Sequence, residues 1–179
     1  MNPIDLIEKY YKKDTKAYRI LISHSQQVAN KAGEVALRVA HLNPDRDFIE
    51  EASLLHDIGM VKTRTPQLGC YGQHPYVCHG HLGRHMLEKE GLNRHALVCE
   101  RHVGVGITRE DIIQQHLPIP DREMMPQTVE EQIICYADKF FSKNGDGSEK
   151  TVEEILLKLK SYGSDKVQRF KKWVDLFGG

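Results

Sequence analysis

The sequence has no surplus of charge of either sign. Lys and Arg together number 25, Asp and Glu together also 25, so the formal net charge is zero with histidine neutral. Such a balance gives no electrostatic footprint for nucleic acid or for an anionic membrane surface. No apolar run approaches the roughly 18 residues that a membrane helix needs. The opening residues, Met1-Asn2-Pro3-Ile4-Asp5, lack the basic and apolar regions of a secretory leader. The four cysteines, Cys70, Cys78, Cys99 and Cys135, form no C-x-x-C pair, which argues against zinc-ribbon and thioredoxin-type motifs. Internal repeats, low-complexity tracts and the period-two alternation of strands are missing too. These absences predict a cytoplasmic protein with free thiols, no membrane partner and no strong nucleic-acid partner.

What remains is a chain of ordinary globular composition, 179 residues with 40% hydrophobic and 28% charged. That length suits one domain over residues 1–179 with a real core. The periodicity is helical nearly throughout and predicts an all-α bundle of about nine helices. Pro3 opens a short first helix capped by Asn2. A long helix runs from about Thr15 to Ala40. Asn43 and Pro44 start the next, which continues to Gly59. Met60 to His74 reads as a loop, with Pro66, Gly69 and Gly72. Helices follow over about Pro75–Glu90, from Asn93 through His102, and from the capping-box pairs Thr108/Asp111 and Thr128/Glu131. After the break at Asn144-Gly145-Asp146-Gly147, two more span Ser148–Tyr162 and Ser164–Phe177.

The chain holds ten histidines. The most informative stretch is His56-Asp57-Ile58-Gly59, which ends the apolar run Ala52-Ser53-Leu54-Leu55. A carboxylate placed beside leucines is costly to bury unless a cation pairs with it, and a metal ion with an adjacent imidazole ligand satisfies that need. Two adjacent ligands cannot close a site. His24, His79, His102 and Asp138 each lie three or four residues from apolar positions of their own helices, so they face inward. Any one buried histidine is most simply a hydrogen-bonded core residue. A His-Asp pair with four in-phase partners on four other helices is hard to reach by accident. The mixed N/O set suits one or two divalent ions of Mn, Fe, Co or Zn, and Mg if fewer histidines engage. Asp57, about 100° around a helix from His56, suits a carboxylate bridging two metals. Two ions about 3.5–4 Å apart would activate a water and clamp both sides of a phosphoryl displacement.

These residues resemble the HD-domain superfamily of metal-dependent phosphohydrolases, in its HDIG subgroup. The match lies in His24, in His56-Asp57-Ile58-Gly59 and in Asp138 of Tyr136-Ala137-Asp138-Lys139. It extends to His79-Gly80-His81-Leu82-Gly83 and Arg101-His102-Val103-Gly104. The resemblance covers about residues 20–141, leaving a helical extension over about 148–177. It implies an HD-domain-like bundle, with His24, His56, Asp57 and Asp138 at the first metal, His79 and His102 at the second, and Asp57 bridging. Relatives that cleave cyclic dinucleotides often carry Lys where this chain has Met60, and a second histidine where it has Val103. Both differences count against that substrate. The His-Gly-x-x-Gly segment is similar to that of symmetrical dinucleoside tetraphosphatases.

The expected activity is hydrolysis of a phosphate ester or anhydride of a small phosphorylated molecule, a nucleotide by preference. Asp57 and Lys139 are the expected catalytic residues. Lys62, Arg64, Arg101 and Lys139 are candidate phosphate contacts because they neighbour ligands in sequence. The Val61–His74 loop is either a lid or a connector. His81 and His85, an i, i+4 pair, read as a polar face. A homodimer is compatible with the sequence. The competing readings are an HD-fold di-iron oxygenase, which uses the same ligand set, and a non-catalytic metal-binding regulatory module.

Overall fold

A computed structural model describes residues 2–145 and 147–178. Among these, nine α-helices follow in chain order: α1 (Pro3–Tyr10), α2 (Lys16–Arg38), α3 (Arg46–Leu55), α4 (His79–Lys89), α5 (Asn93–Arg101), α6 (Arg109–Gln114), α7 (Val129–Asp138), α8 (Val152–Lys160) and α9 (Ser164–Phe177). The fold is the all-α bundle expected from the periodicity. Asn2 caps α1, and the Thr15 hydroxyl accepts from the Tyr18 amide to start α2.

Helix α2 is the spine. Its buried face carries Leu21, His24, Val28, Ala32 and Val35, so one stripe serves two apolar clusters. The first joins Val28, Ala32 and Val35 to Phe48, Ile49 and Ala52 of α3, Ile133 and Tyr136 of α7, and Phe170, Trp173 and Phe177 of α9. The second joins Leu21 to Ile7, Tyr11, Leu55, Met60, Leu87 and Cys99. The polar cluster around His24 lies where these two cores adjoin.

Several boundaries differ from the sequence reading. Helix α3 is capped by Asp45, whose carboxylate accepts from the Phe48 amide, while Asn43 takes a left-handed conformation (φ 52°) and ends a short 3-10 turn. The Asp45 side chain satisfies a free amide at the helix start, which the preceding proline cannot do. The helix stops at Leu55. His56 is its C-cap, Asp57 leaves helical geometry (φ −106°), and a 3-10 turn covers Ile58–Lys62. Gly59 gives the reason. A Cβ there would sit 2.1 Å from the His79 carbonyl oxygen and 2.4 Å from the Gly83 nitrogen. The chain thus turns at a point of backbone contact with α4, which only glycine permits.

The Met60–His74 segment is not wholly irregular. Arg64–Thr65 (β1) pairs antiparallel with Cys70–Tyr71 (β2), with Arg64 opposite Tyr71. Strands of two residues are too short to show alternation. Thr108 and Asp111 form the expected capping box. Thr128 accepts from the Glu131 amide, but the Glu131 carboxylate turns to the Gln127 amide and to Arg101 instead of closing a box. Helix α8 begins later than expected, at a capping box of Thr151 and Glu154. Among the described residues, no helix is long and apolar enough to cross a membrane.

Candidate metal centre

Six side chains meet beside α2. His24 comes from the middle of that helix, whereas His56 and Asp57 follow the end of α3, His79 opens α4, His102 caps α5 and Asp138 ends α7. The C-terminal ends of α3, α5 and α7 therefore converge on one point. Their unpaired carbonyl ends carry partial negative charge, which favours a cation there, and only the N-terminus of α4 opposes it. All six residues are buried, from 0% exposed for His56 and Asp57 to 7% for Asp138.

Three of the histidines are held in the same way. Nδ1 of His56, His79 and His102 lies 2.6, 2.6 and 2.7 Å from the backbone carbonyl three residues earlier, those of Ser53, Tyr76 and Cys99. A carbonyl only accepts, so each Nδ1 donates and each Nε2 is aimed inward. The Nε2 atoms of His79 and His102 are 3.1 Å apart. Two lone pairs facing each other at that distance repel unless a cation lies between them. Ligands about 2.0–2.1 Å from one metal are separated by about 2.9–3.4 Å, so the spacing fits. Burial, reinforced by the charge of His56, lowers the His102 pKa to about 4, which keeps its ring neutral, as a ligand requires.

Asp57 sits between two halves. Its Oδ2 is 3.1 Å from His56 Nε2 and 3.3 Å from His24 Nε2. Its Oδ1 is 3.2 Å from His79 Nε2 and 3.3 Å from His102 Nε2. His24 Nε2 also meets Asp138 Oδ1 at 2.9 Å. The side-chain atoms that could hold an ion form two groups that share Asp57, one of His24, His56, Asp57 and Asp138, the other of Asp57, His79 and His102. His56 Nε2 and both Asp57 oxygens are buried without a hydrogen bond of good geometry. Buried atoms of this kind are costly unless charge satisfies them, and of the three only Asp57 Oδ2 has an ammonium beside it, Lys143 Nζ at 2.6 Å. Burial works against charge on His56, but Asp57 and Asp138 overcome it and raise its pKa to about 9. The carboxylates therefore hold positive charge at the point where a divalent ion would supply it. Burial likewise opposes the Asp57 carboxylate, yet His56 and Lys143 keep its pKa well below the usual range.

Lys143 is the residue that sequence reasoning missed. Its Nζ is 2.6 Å from Asp57 Oδ2. Lys139, which was expected, meets Asp138 Oδ2 at 2.8 Å. Both line a cavity of about 790 Å³ that opens from His79, His102 and Asp138, and Lys150, Lys158 and Lys166 line it as well. The other three expected phosphate contacts are not on that wall. Arg101 turns to Glu131, at 2.9 and 3.0 Å from its two oxygens, because consecutive residues of α5 point about 100° apart. Lys62 and Arg64 are exposed and do not line the cavity. From the same segment Thr65, Gln67 and Leu68 do border the cavity. His81 and His85 meet edge to face at 6.2 Å, and no third candidate ligand joins them among the described residues.

The chain is 31% identical over 139 residues to a tRNA (cytidine(56)-2'-O)-methyltransferase of Thermoplasma volcanium, a match covering 78% of this chain and 35% of that protein's length. Its fold is similar to the crystal structure of the L. monocytogenes phosphodiesterase PgpH HD domain, with a TM-score of 0.55, 17% identity and 93% of each chain covered. The family model described as HD domain matches residues 21–142, a span that holds all six converging side chains, and the chain belongs to that family.

Proposed function

We propose that this protein is a metal-dependent phosphohydrolase that cleaves a phosphate ester or anhydride of a nucleotide-like small molecule. His24, His56, Asp57, His79, His102 and Asp138 are its ligands for one or two divalent ions, of Mn, Fe, Co or Zn. The observation that carries this reading is the split of Asp57, with one carboxylate oxygen toward each half of the histidine set. Divalent ions in such a set supply Lewis-acid stabilisation of phosphoryl oxygens and lower the pKa of a water.

The chain does the rest. The three Nδ1–H bonds to backbone carbonyls lock the imidazoles of His56, His79 and His102, so no reorganisation is needed when charge develops. Lys139 and Lys143 stand where the ligand cluster opens into the cavity, and they hold the anionic phosphate against the ligands. The buried inner side excludes water, which strengthens these charges. A lysine-lined cavity favours an anionic, phosphorylated substrate.

The test combines elemental analysis of the purified protein with turnover of bis(p-nitrophenyl) phosphate and an oxygen-uptake control. The proposal expects metal bound per chain, phosphodiester cleavage that Asp57→Asn abolishes, and no oxygen consumption. Metal binding with oxygen uptake and no phosphate cleavage would replace it with the oxygenase reading.

A further inference from the structure

The cavity is larger than a phosphate needs. Its volume of about 790 Å³ lies in the upper part of the roughly 300–1,000 Å³ range of pockets that enclose whole small molecules. One end is the ligand cluster. Ile155, Lys158 and Leu159 of α8, with Tyr162 just beyond it, line the cavity as well, and they lie outside the 21–142 span matched to the family. Apolar side chains arrive from separate segments, Val105, Ile107 and Leu117 before α7 and Phe141, Ile155 and Leu159 after it.

The charges in this cavity do not balance. Its two lining carboxylates are both taken, Asp111 by Lys166 at 2.6 Å and Asp138 by Lys139 at 2.8 Å. Lys150 and Lys158 have no carboxylate within ion-pair distance among the described residues. The Lys150 ammonium donates to the Lys139 carbonyl at 3.2 Å, which joins it to the edge of the ligand cluster. Burial, and then the charge of the exposed Lys158, lower the Lys150 pKa. Like charges gathered in a cavity wall without a counter-charge are stabilised by an anionic ligand.

We propose that Lys150 and Lys158 form a second anion subsite beside the ligand cluster. Resting on the phosphohydrolase reading above, this makes the substrate an organic diphosphate or longer phosphate chain. One phosphate lies at the ligand cluster, the next on Lys150 and Lys158, and a nucleoside-sized group lies against the apolar wall that α8 completes. Helix α8 is then the element that sets substrate choice.

Titration calorimetry of the metal-loaded protein tests the subsite without requiring turnover. The probes are α,β-methylene adenosine diphosphate, adenosine monophosphate and inorganic phosphate. The diphosphate is expected to bind about tenfold or more tighter than the monophosphate, and the monophosphate tighter than inorganic phosphate. Lys150→Gln/Lys158→Gln is expected to bring the first ratio to about one, with Lys158→Glu alone lowering it strongly. Equal affinity for all three probes in the wild type, or an unchanged ratio in both variants, overturns the proposal. A diphosphate preference in a protein that leaves bis(p-nitrophenyl) phosphate intact would keep the subsite and remove the hydrolase reading.

Discussion

Asp57 Oδ2 lies 3.1 Å from His56 Nε2, and Asp57 Oδ1 lies 3.2 Å from His79 Nε2, so one buried carboxylate joins the two halves of the histidine–aspartate cluster. This asymmetry separates the effects of ligand substitutions. Asp57→Asn is expected to empty both halves, whereas His102→Ala is expected to remove about one equivalent and leave the half built on His24, His56 and Asp138. A Lewis acid supplies several kcal/mol to phosphoryl transfer, so Asp57→Asn should lower turnover by about 10³-fold or more. Elemental analysis and diesterase kinetics on the same samples check both outcomes. Equal metal loss in the two variants would argue against a bridging Asp57.

The backbone contact at Gly59 gives a second expectation. Gly59→Ala places a methyl 2.1 Å from the His79 carbonyl oxygen and 2.4 Å from the Gly83 nitrogen, neither of which is a flexible side-chain end. Helix α4 must move away from the 58–62 turn, carrying His79 away from Asp57. Overpacking of this kind costs about 1–3 kcal/mol, and the variant should also bind its His79-side metal more weakly. Urea unfolding with and without added metal measures the two effects, and full stability with normal metal content would show that the contact yields easily.

Much of this centre was legible in the sequence because its chemistry is local there. His56-Asp57 after an apolar run announces a buried charge, and His24 falls on the inward stripe of α2. The placement of the others was less readable. His79, His102 and Asp138 were read as in-phase positions along helices, but they stand at helix ends, where boundaries depend on tertiary contacts such as that of Gly59 with α4. Lys143 gave no periodic signal, since it lies beyond the end of α7 in an irregular segment that only the fold returns to Asp57. Lys62, Arg64 and Arg101 illustrate the opposite error, because nearness in sequence to a ligand does not fix the direction of a side chain. The β1–β2 pair lies below the length at which alternation can be seen.

Lys143 invites a substitution that distinguishes charge from shape. Its ammonium is 2.6 Å from Asp57 Oδ2 and faces the cavity. Lys143→Ala leaves a buried carboxylate short of one cation, and breaking a buried pair costs about 3–5 kcal/mol. The expected loss of stability appears in protein stripped by chelator and shrinks when divalent metal is restored, since the ion supplies the missing charge. The kcat/KM for a phosphodiester should fall by about 10–100-fold with metal content retained. Thermal melts with and without metal, beside the kinetics, check this. A stability loss of equal size in both states would mean that Lys143 acts on packing alone.

The contact between α6 and α9 gives a prediction in pH. Lys166 Nζ lies 2.6 Å from Asp111 Oδ1, and the Thr108 amide and hydroxyl reach the other oxygen at 2.9 and 2.7 Å. Burial opposes the Asp111 carboxylate, but Lys166 and Thr108 outweigh it and hold its pKa below the ordinary 3.8. On acidification the unfolded chain therefore takes up this proton before the folded one does. The pair's contribution is full above the ordinary carboxylate value and is lost as the pH falls through the lower folded value. Hydrogen bonds to a charged group contribute about 1.5–3 kcal/mol, so Asp111→Asn should cost about that much at pH 6. The cost should shrink toward zero in the most acidic range where the wild type still folds. Urea melts of both proteins across that range decide the matter, and a cost that stays constant with pH would mean that the charge of Asp111 contributes nothing to the contact with α9 or to the Thr108 cap.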